Sequence, residues 1–144
     1  MLSIMAWTRE YLRSLLNDES VSLYIGKIDN AKENAIGIYS DMPGFNVKAV
    51  GLKGSYDIAG VRLLVHGTKN AKVTEGFART VYNALDNANN FTWGNDTAGY
   101  ADIFYIALTY AEPNFIGTDE NGVYEYHISA TIYYKETDKT TGGK

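Results

Sequence analysis

The sequence predicts a single α+β domain, with a mixed, mainly antiparallel sheet of about four to six strands and two amphipathic helices packed mainly on one face. Three observations carry that expectation. Apolar residues recur at three- and four-residue spacing over residues 3–17 and again over 70–87, the period of a helix with one buried stripe. From Val123 to Lys135 apolar and polar residues alternate instead, the period of a half-buried strand. A length of 144 residues with 45% hydrophobic content is enough for one core and gives no reason for two.

The first helix is read from Ser3, a good N-cap, to Asn17, a poor interior residue that suits an exit. Ile4, Trp7, Tyr11, Leu12, Leu15 and Leu16 form its apolar stripe, with Arg9, Glu10 and Arg13 opposite. Val21 to Ile25 reads as a short strand ended by Gly26, and Ala35 to Ser40 as a second. Asp41-Met42-Pro43-Gly44 carries strong turn chemistry. Phe45 to Gly54 is at most a weak strand, because Gly44 precedes it and Gly51 and Gly54 fall within it. Asp57 to Gly67 is apolar at nearly every position, which predicts a central strand covered on both sides.

The second helix, residues 70–87, has the stripe Val73, Phe77, Val81, Ala84, Leu85 and Ala88. Gly76 inside it costs roughly 1 kcal/mol against alanine, so close packing is expected there. Phe91 to Asp102 reads as a Gly/Asn-rich loop around Trp93, followed by an apolar strand from Ile103 to Tyr110. Glu112-Pro113 ends that strand, since proline has no N–H to donate. Asp119-Glu120-Asn121-Gly122 turns the chain. The last strand would span roughly 40 Å at ~3.3 Å per residue. A strand of that length either crosses a large sheet or reaches past its own domain. Residues 1–135 are expected to form the domain and 136–144 a mobile tail.

Composition removes several classes of function. There is no cysteine, so disulfides, thiolate zinc sites and thiol chemistry are excluded. A net charge of −4 and scattered lysines argue against a broad phosphate-binding surface. No apolar run approaches the ~20 residues that span a bilayer, and no secretory leader pattern is present. A soluble protein made in the cytoplasm is expected. Tyrosine is over-used, with twelve against five Phe and two Trp, a bias common at strand surfaces and protein interfaces.

Catalytic and ligand-binding patterns are lacking. The glycines match no phosphate loop, dinucleotide fingerprint or nucleophile elbow. His66 ends a strand and His127 lies on the polar face of another, and without a pairing motif both read as surface residues and not metal ligands. Asp119-Glu120 reads as a solvated turn and not a calcium loop. No histidine stands beside a carboxylate on neighbouring strand ends as far as the sequence shows. No catalytic residue, metal or cofactor is expected. What remains are apolar groups near turns. Trp93 either tucks into the core or serves an interface. Phe115 and Ile116 either cap the core or anchor a partner; the over-long strand favours the partner.

The stretch from Glu112 to Tyr126, with Pro113, Phe115, Ile116, Gly117, Asp119, Glu120 and Gly122 in order, runs on to Tyr133-Tyr134-Lys135. It resembles the C-terminal signature of minor capsid, or tail terminator, proteins of siphophages infecting low-GC Gram-positive bacteria. The first helix, the Gly26 turn, the Tyr39…Pro43-Gly44 segment and the second helix follow in the family's order. Ser129-Ala130 departs from it, standing where the family pattern carries Asn. The resemblance implies a structural virion protein with no enzymatic activity. It implies a ring, commonly a hexamer, that caps the tail tube and docks the head connector or stopper while DNA passes without specific binding. A head-side stopper or adaptor of the neck is the neighbouring alternative, and a small-molecule-binding α+β domain the alternative of a different class. Interface residues expected on these grounds are Trp93, Phe115, Ile116, Asp119, His127 and Tyr133.

Overall fold

The computed structural model describes residues 2–28, 32–48 and 54–137. Helix α1 (Ile4–Leu16) begins where the Ser3 side chain accepts from the Ala6 N–H and ends at Asn17, left-handed at φ 47°. Trp7 and Leu12 on its inner face are wholly buried, whereas Leu15 is 41% exposed and lies outside the stripe. Strand β1 (Ser22–Ile25) runs parallel to β2 (Ala35–Lys48). β2 then pairs antiparallel with β3 (Gly54–His66).

Helix α2 (Ala71–Leu85) follows, capped by Asn70. Then come β4 (Asn89–Asn95), β5 (Gly99–Leu108), β6 (Asn114–Thr118) and β7 (Tyr124–Thr137). Among the described residues seven strands form one sheet in the order β1-β2-β3-β7-β5-β4, with β6 paired to β7 beside that path. All pairings but the first are antiparallel. The fold is the α+β arrangement that the two periodicities predict.

One face of the sheet makes the core. Ile36 and Ile38, Val61, Leu63 and Val65, Ile103 and Ile106, and Ile128, Ala130 and Ile132 are all buried with Trp7, Leu12, Ala78, Val81 and Leu85 of the helices. The alternation of β7 sets which of its residues join them: even positions from Ile128 to Tyr134 are buried, odd ones from Glu125 to Tyr133 half-buried.

Several expectations are corrected. Of the two readings of β7's length, crossing a large sheet holds, and the edge reaching past the domain does not. β7 is long because it serves β3 along one side, and β6 then β5 end to end along the other. β3 is central, but Arg62 and Leu64 on its far face stay half-exposed, since both helices sit on the opposite face. The expected turn at Asp41-Met42-Pro43-Gly44 is the middle of β2, where two register shifts absorb a proline that a regular ladder excludes. The Gly51 part of the weak strand, and residues 138–144 of the expected tail, lie outside the described residues; β7 itself continues to Thr137.

The Trp93 loop is a β-hairpin. Asn95 Oδ1 accepts from the Ala98 N–H at 2.9 Å to close its turn, and α1 pins it: Trp7 Nε1 donates to the Trp93 carbonyl at 2.8 Å.

α2 is rotated from its expected stripe. Thr74, Ala78, Val81 and Leu85 face the core, and Val73 is 53% exposed. A threonine can replace the expected valine because its hydroxyl is satisfied locally: it accepts from the Thr68 N–H at 2.9 Å and donates to the Thr68 carbonyl at 3.2 Å. The glycine that packing demands is Gly67, not Gly76. A Cβ at Gly67 would meet Thr74 atoms at 2.4 Å, and one at Gly76 would meet nothing within 4 Å.

Candidate functional site

Three features cluster around β7. The first lies where β3 ends and the β6–β7 turn begins. His66 pairs across the strands with Glu125, and Asp119 leads the turn. The Asp119 N–H donates to the Val123 carbonyl at 2.9 Å, and its Oδ1 accepts from the Asn121 and Val123 N–H groups, both at 2.9 Å. That leaves Oδ2 directed at His66 Nε2, 2.9 Å away. On the other side of the ring, Nδ1 lies 2.7 Å from the Lys32 carbonyl. Glu125 Oε2 is 3.8 Å from Nε2.

A carbonyl only accepts, so Nδ1 carries a hydrogen. The hydrogen bond from His66, with those from the turn N–H groups, holds the Asp119 carboxyl below its usual range, so it too is an acceptor. The ring thus spans the Lys32 carbonyl on its Nδ1 side and the Asp119 and Glu125 carboxyl groups on its Nε2 side. Burial pushes the Glu125 carboxyl up, and the nearby Asp119 charge adds to this while His66 opposes it.

His66 is 3% exposed, which corrects its reading as a surface residue. The structure also supplies what the sequence did not reveal, a histidine beside carboxylates on neighbouring strand ends. Only the β3–β7 register reveals the pair, since the two residues are far apart in the chain.

The second feature is the ridge on β6. Phe115 is 53% exposed and Ile116 42% exposed, so neither caps the core. The Phe115 ring lies 5.3 Å from that of Tyr126 and 6.1 Å from that of Tyr124. It borders a groove of about 560 Å³ that Glu75, Arg79 and Tyr110 also line. Among the described residues β6 pairs with β7 alone.

The third feature is an aromatic patch on the sheet's far face, formed by Tyr56, Phe104, Tyr105 and Tyr133 around a shallow depression of about 370 Å³. A register shift between Ile103 and Tyr105 breaks the alternation of β5, so Phe104 and Tyr105 are both exposed. Their rings lie 6.0 Å from Tyr56 and 6.4 Å from Tyr133 respectively. The continuous apolar run from Ile103 to Leu108 gave no sign of that bulge.

The residues expected at an interface do not form one surface. Phe115, Ile116 and Asp119 lie at the β6 end. Tyr133 belongs to the aromatic patch, and His127 is half-buried on the far face of β7. Burial first, and then the Arg62 charge, holds the His127 ring below its usual range. Trp93 is half-buried on the helix side, its ring 5.8 Å from Trp7 and 5.5 Å from Tyr11.

A family model described as bacteriophage tail terminator protein matches residues 11–136, from within α1 to the end of β7. The chain belongs to the bacteriophage tail terminator family. It is a structural protein of the phage tail, and so a virion component that meets other tail and head proteins. No individual curated protein matches the sequence. Among the described residues no helix of this tail terminator is long and apolar enough to cross a membrane.

Proposed function

We propose that this tail terminator assembles into a hexameric ring that caps the finished tail tube and presents the docking surface for the head connector. DNA crosses its lumen without specific binding. The observation that carries the reading is the presence of two dissimilar apolar surfaces on one subunit. A closed ring needs heterologous contacts, in which one patch meets a different patch on the next copy. The β6 ridge lies beside Tyr126 on the helix side of β7, and the aromatic patch surrounds Tyr133 on its far side. Seven residues at ~3.3 Å each separate the two by roughly 23 Å along the strand. In this reading Phe115 and Ile116 of one copy insert into the Tyr56–Phe104–Tyr105–Tyr133 patch of the next. Asp119, His127 and Trp93 lie near enough to the exposed surface to contact the tube or the connector.

Electron microscopy and native mass spectrometry of the purified protein, alone and with tail tubes, test this. Rings with a central hole, seated on tube ends, are the expected result. A protein that stays monomeric with tubes present rules the reading out, and binding to the portal side of the neck without capping tubes would favour a stopper or adaptor.

A further inference from the structure

We propose that His66, Asp119 and Glu125 form a binding site for a divalent cation of the zinc class, with His66 Nε2 and one oxygen from each carboxylate as protein ligands. The three ligand atoms all lie within 4.8 Å of one another. Nε2 is 2.9 Å from Asp119 Oδ2 and 3.8 Å from Glu125 Oε2. Ligand atoms around a tetrahedral ion with ~2.0–2.2 Å bonds sit about 3.3–3.6 Å apart, so small side-chain shifts suffice.

Proximity alone does not make a site, but here the atoms behind the ligands are already fixed. The Nδ1–H of His66 donates to the Lys32 carbonyl, and Asp119 Oδ1 is held by two turn N–H groups. Metal-binding histidines and carboxylates are oriented in this way by their outer partners. The His66 ring is also buried and aimed at both carboxylates, which an exposed acidic cluster does not provide. The Glu125 carboxyl group makes no hydrogen bond among the described residues, and its Oε2 lies 3.8 Å from Nε2.

The donor set selects the ion. One imidazole nitrogen and two carboxylate oxygens suit zinc or a similar borderline cation, whereas magnesium prefers an all-oxygen, largely hydrated shell. On binding, the cation takes the place of the Nε2 proton, which passes to solvent. Three protein ligands leave one position for water or for a group from a neighbouring protein. The bound ion would tie together the Lys32 segment, the end of β3 and the β6–β7 turn.

Calorimetric titration of the full chain with Zn²⁺ tests the proposal, with Mg²⁺ in parallel. One Zn²⁺ per chain is expected, with Glu125→Gln weakening binding roughly tenfold or more. His127→Gln, which alters the other histidine, leaves the affinity unchanged. Absence of Zn²⁺ binding, equal affinity in Glu125→Gln, loss of affinity in His127→Gln, or Mg²⁺ binding as tight as Zn²⁺ would each overturn it. Should Glu125→Gln lose its fold by circular dichroism, Co²⁺ absorption of the unaltered chain decides. Intense visible bands of four-coordinate cobalt support the site, and their absence sinks it.

Discussion

A methyl group at Gly67 would lie 2.4 Å from both Cγ2 and Oγ1 of Thr74 and 2.8 Å from its Cβ. Turning the threonine cannot relieve a contact with its own Cβ, so α2 itself must move. Gly67→Ala is therefore expected to lower stability by about 1–3 kcal/mol. Gly76→Ala adds its methyl to open space and removes backbone freedom from the unfolded chain, so it should raise stability by about 0.5–1 kcal/mol. Paired denaturant unfolding curves check both signs. His127 offers a test in pH. Burial and then Arg62 hold its folded pKa down, so the unfolded chain binds the proton more readily. Stability is then full above the unfolded value of about 6.5 and falls as pH drops through it towards the folded value. Unfolding midpoints at pH 7.5 and 5.5 should differ less in His127→Gln than in the native chain; an unchanged difference refutes the assignment.

Among the elements, α1 and the β4–β5 hairpin depend on one another. Trp7 is wholly buried, packs against Tyr11, Phe91 and Trp93, and donates to the Trp93 carbonyl. Trp7→Ala should cost about 3–5 kcal/mol. Trp7→Phe keeps a ring but leaves that carbonyl without its donor, for a smaller loss of about 1–3 kcal/mol. Chemical denaturation separates the two, and equal losses would mean that the hydrogen bond contributes little. The same pairing explains why the hairpin was hidden in the sequence. Gly94, Asn95 and Gly99 read locally as loop residues, and Trp93 becomes a strand residue because it pairs with Ala101 of β5, with α1 holding its carbonyl. Both helices, β1, β3 and β7 were legible, since their periodicity is written in consecutive side chains.

For the molecule as a whole, two separate patches make a sharper prediction than ring formation alone. Phe115→Ala with Ile116→Ala disables one surface, and Phe104→Ser disables the other. All three residues are at least 41% exposed, so each variant's monomer should lose no more than about 1 kcal/mol. Each alone should fail to form rings. Mixed together, they retain one intact heterologous contact between unlike copies and should give heterodimers that grow no further. Native mass spectrometry reads this directly. A sharp fall in monomer melting temperature with normal assembly would instead mean that Phe115 and Ile116 support the subunit's own fold and not the ring contact.

The sequence by itself determined the fold class, most of the elements and the family resemblance, because periodicity, caps and turn residues act between near neighbours in the chain. It also marked Phe115 and Ile116, whose apolar side chains stand between a proline and a tight turn. Only the tertiary structure decided that β7 is central, that α2 presents Thr74 and Ala78 inward, and that Phe104 joins Tyr56 and Tyr133 in one patch. The His66–Asp119–Glu125 cluster belongs there too. Each depends on strand register or on a bulge, and a one-residue difference in either sends a side chain to the opposite face.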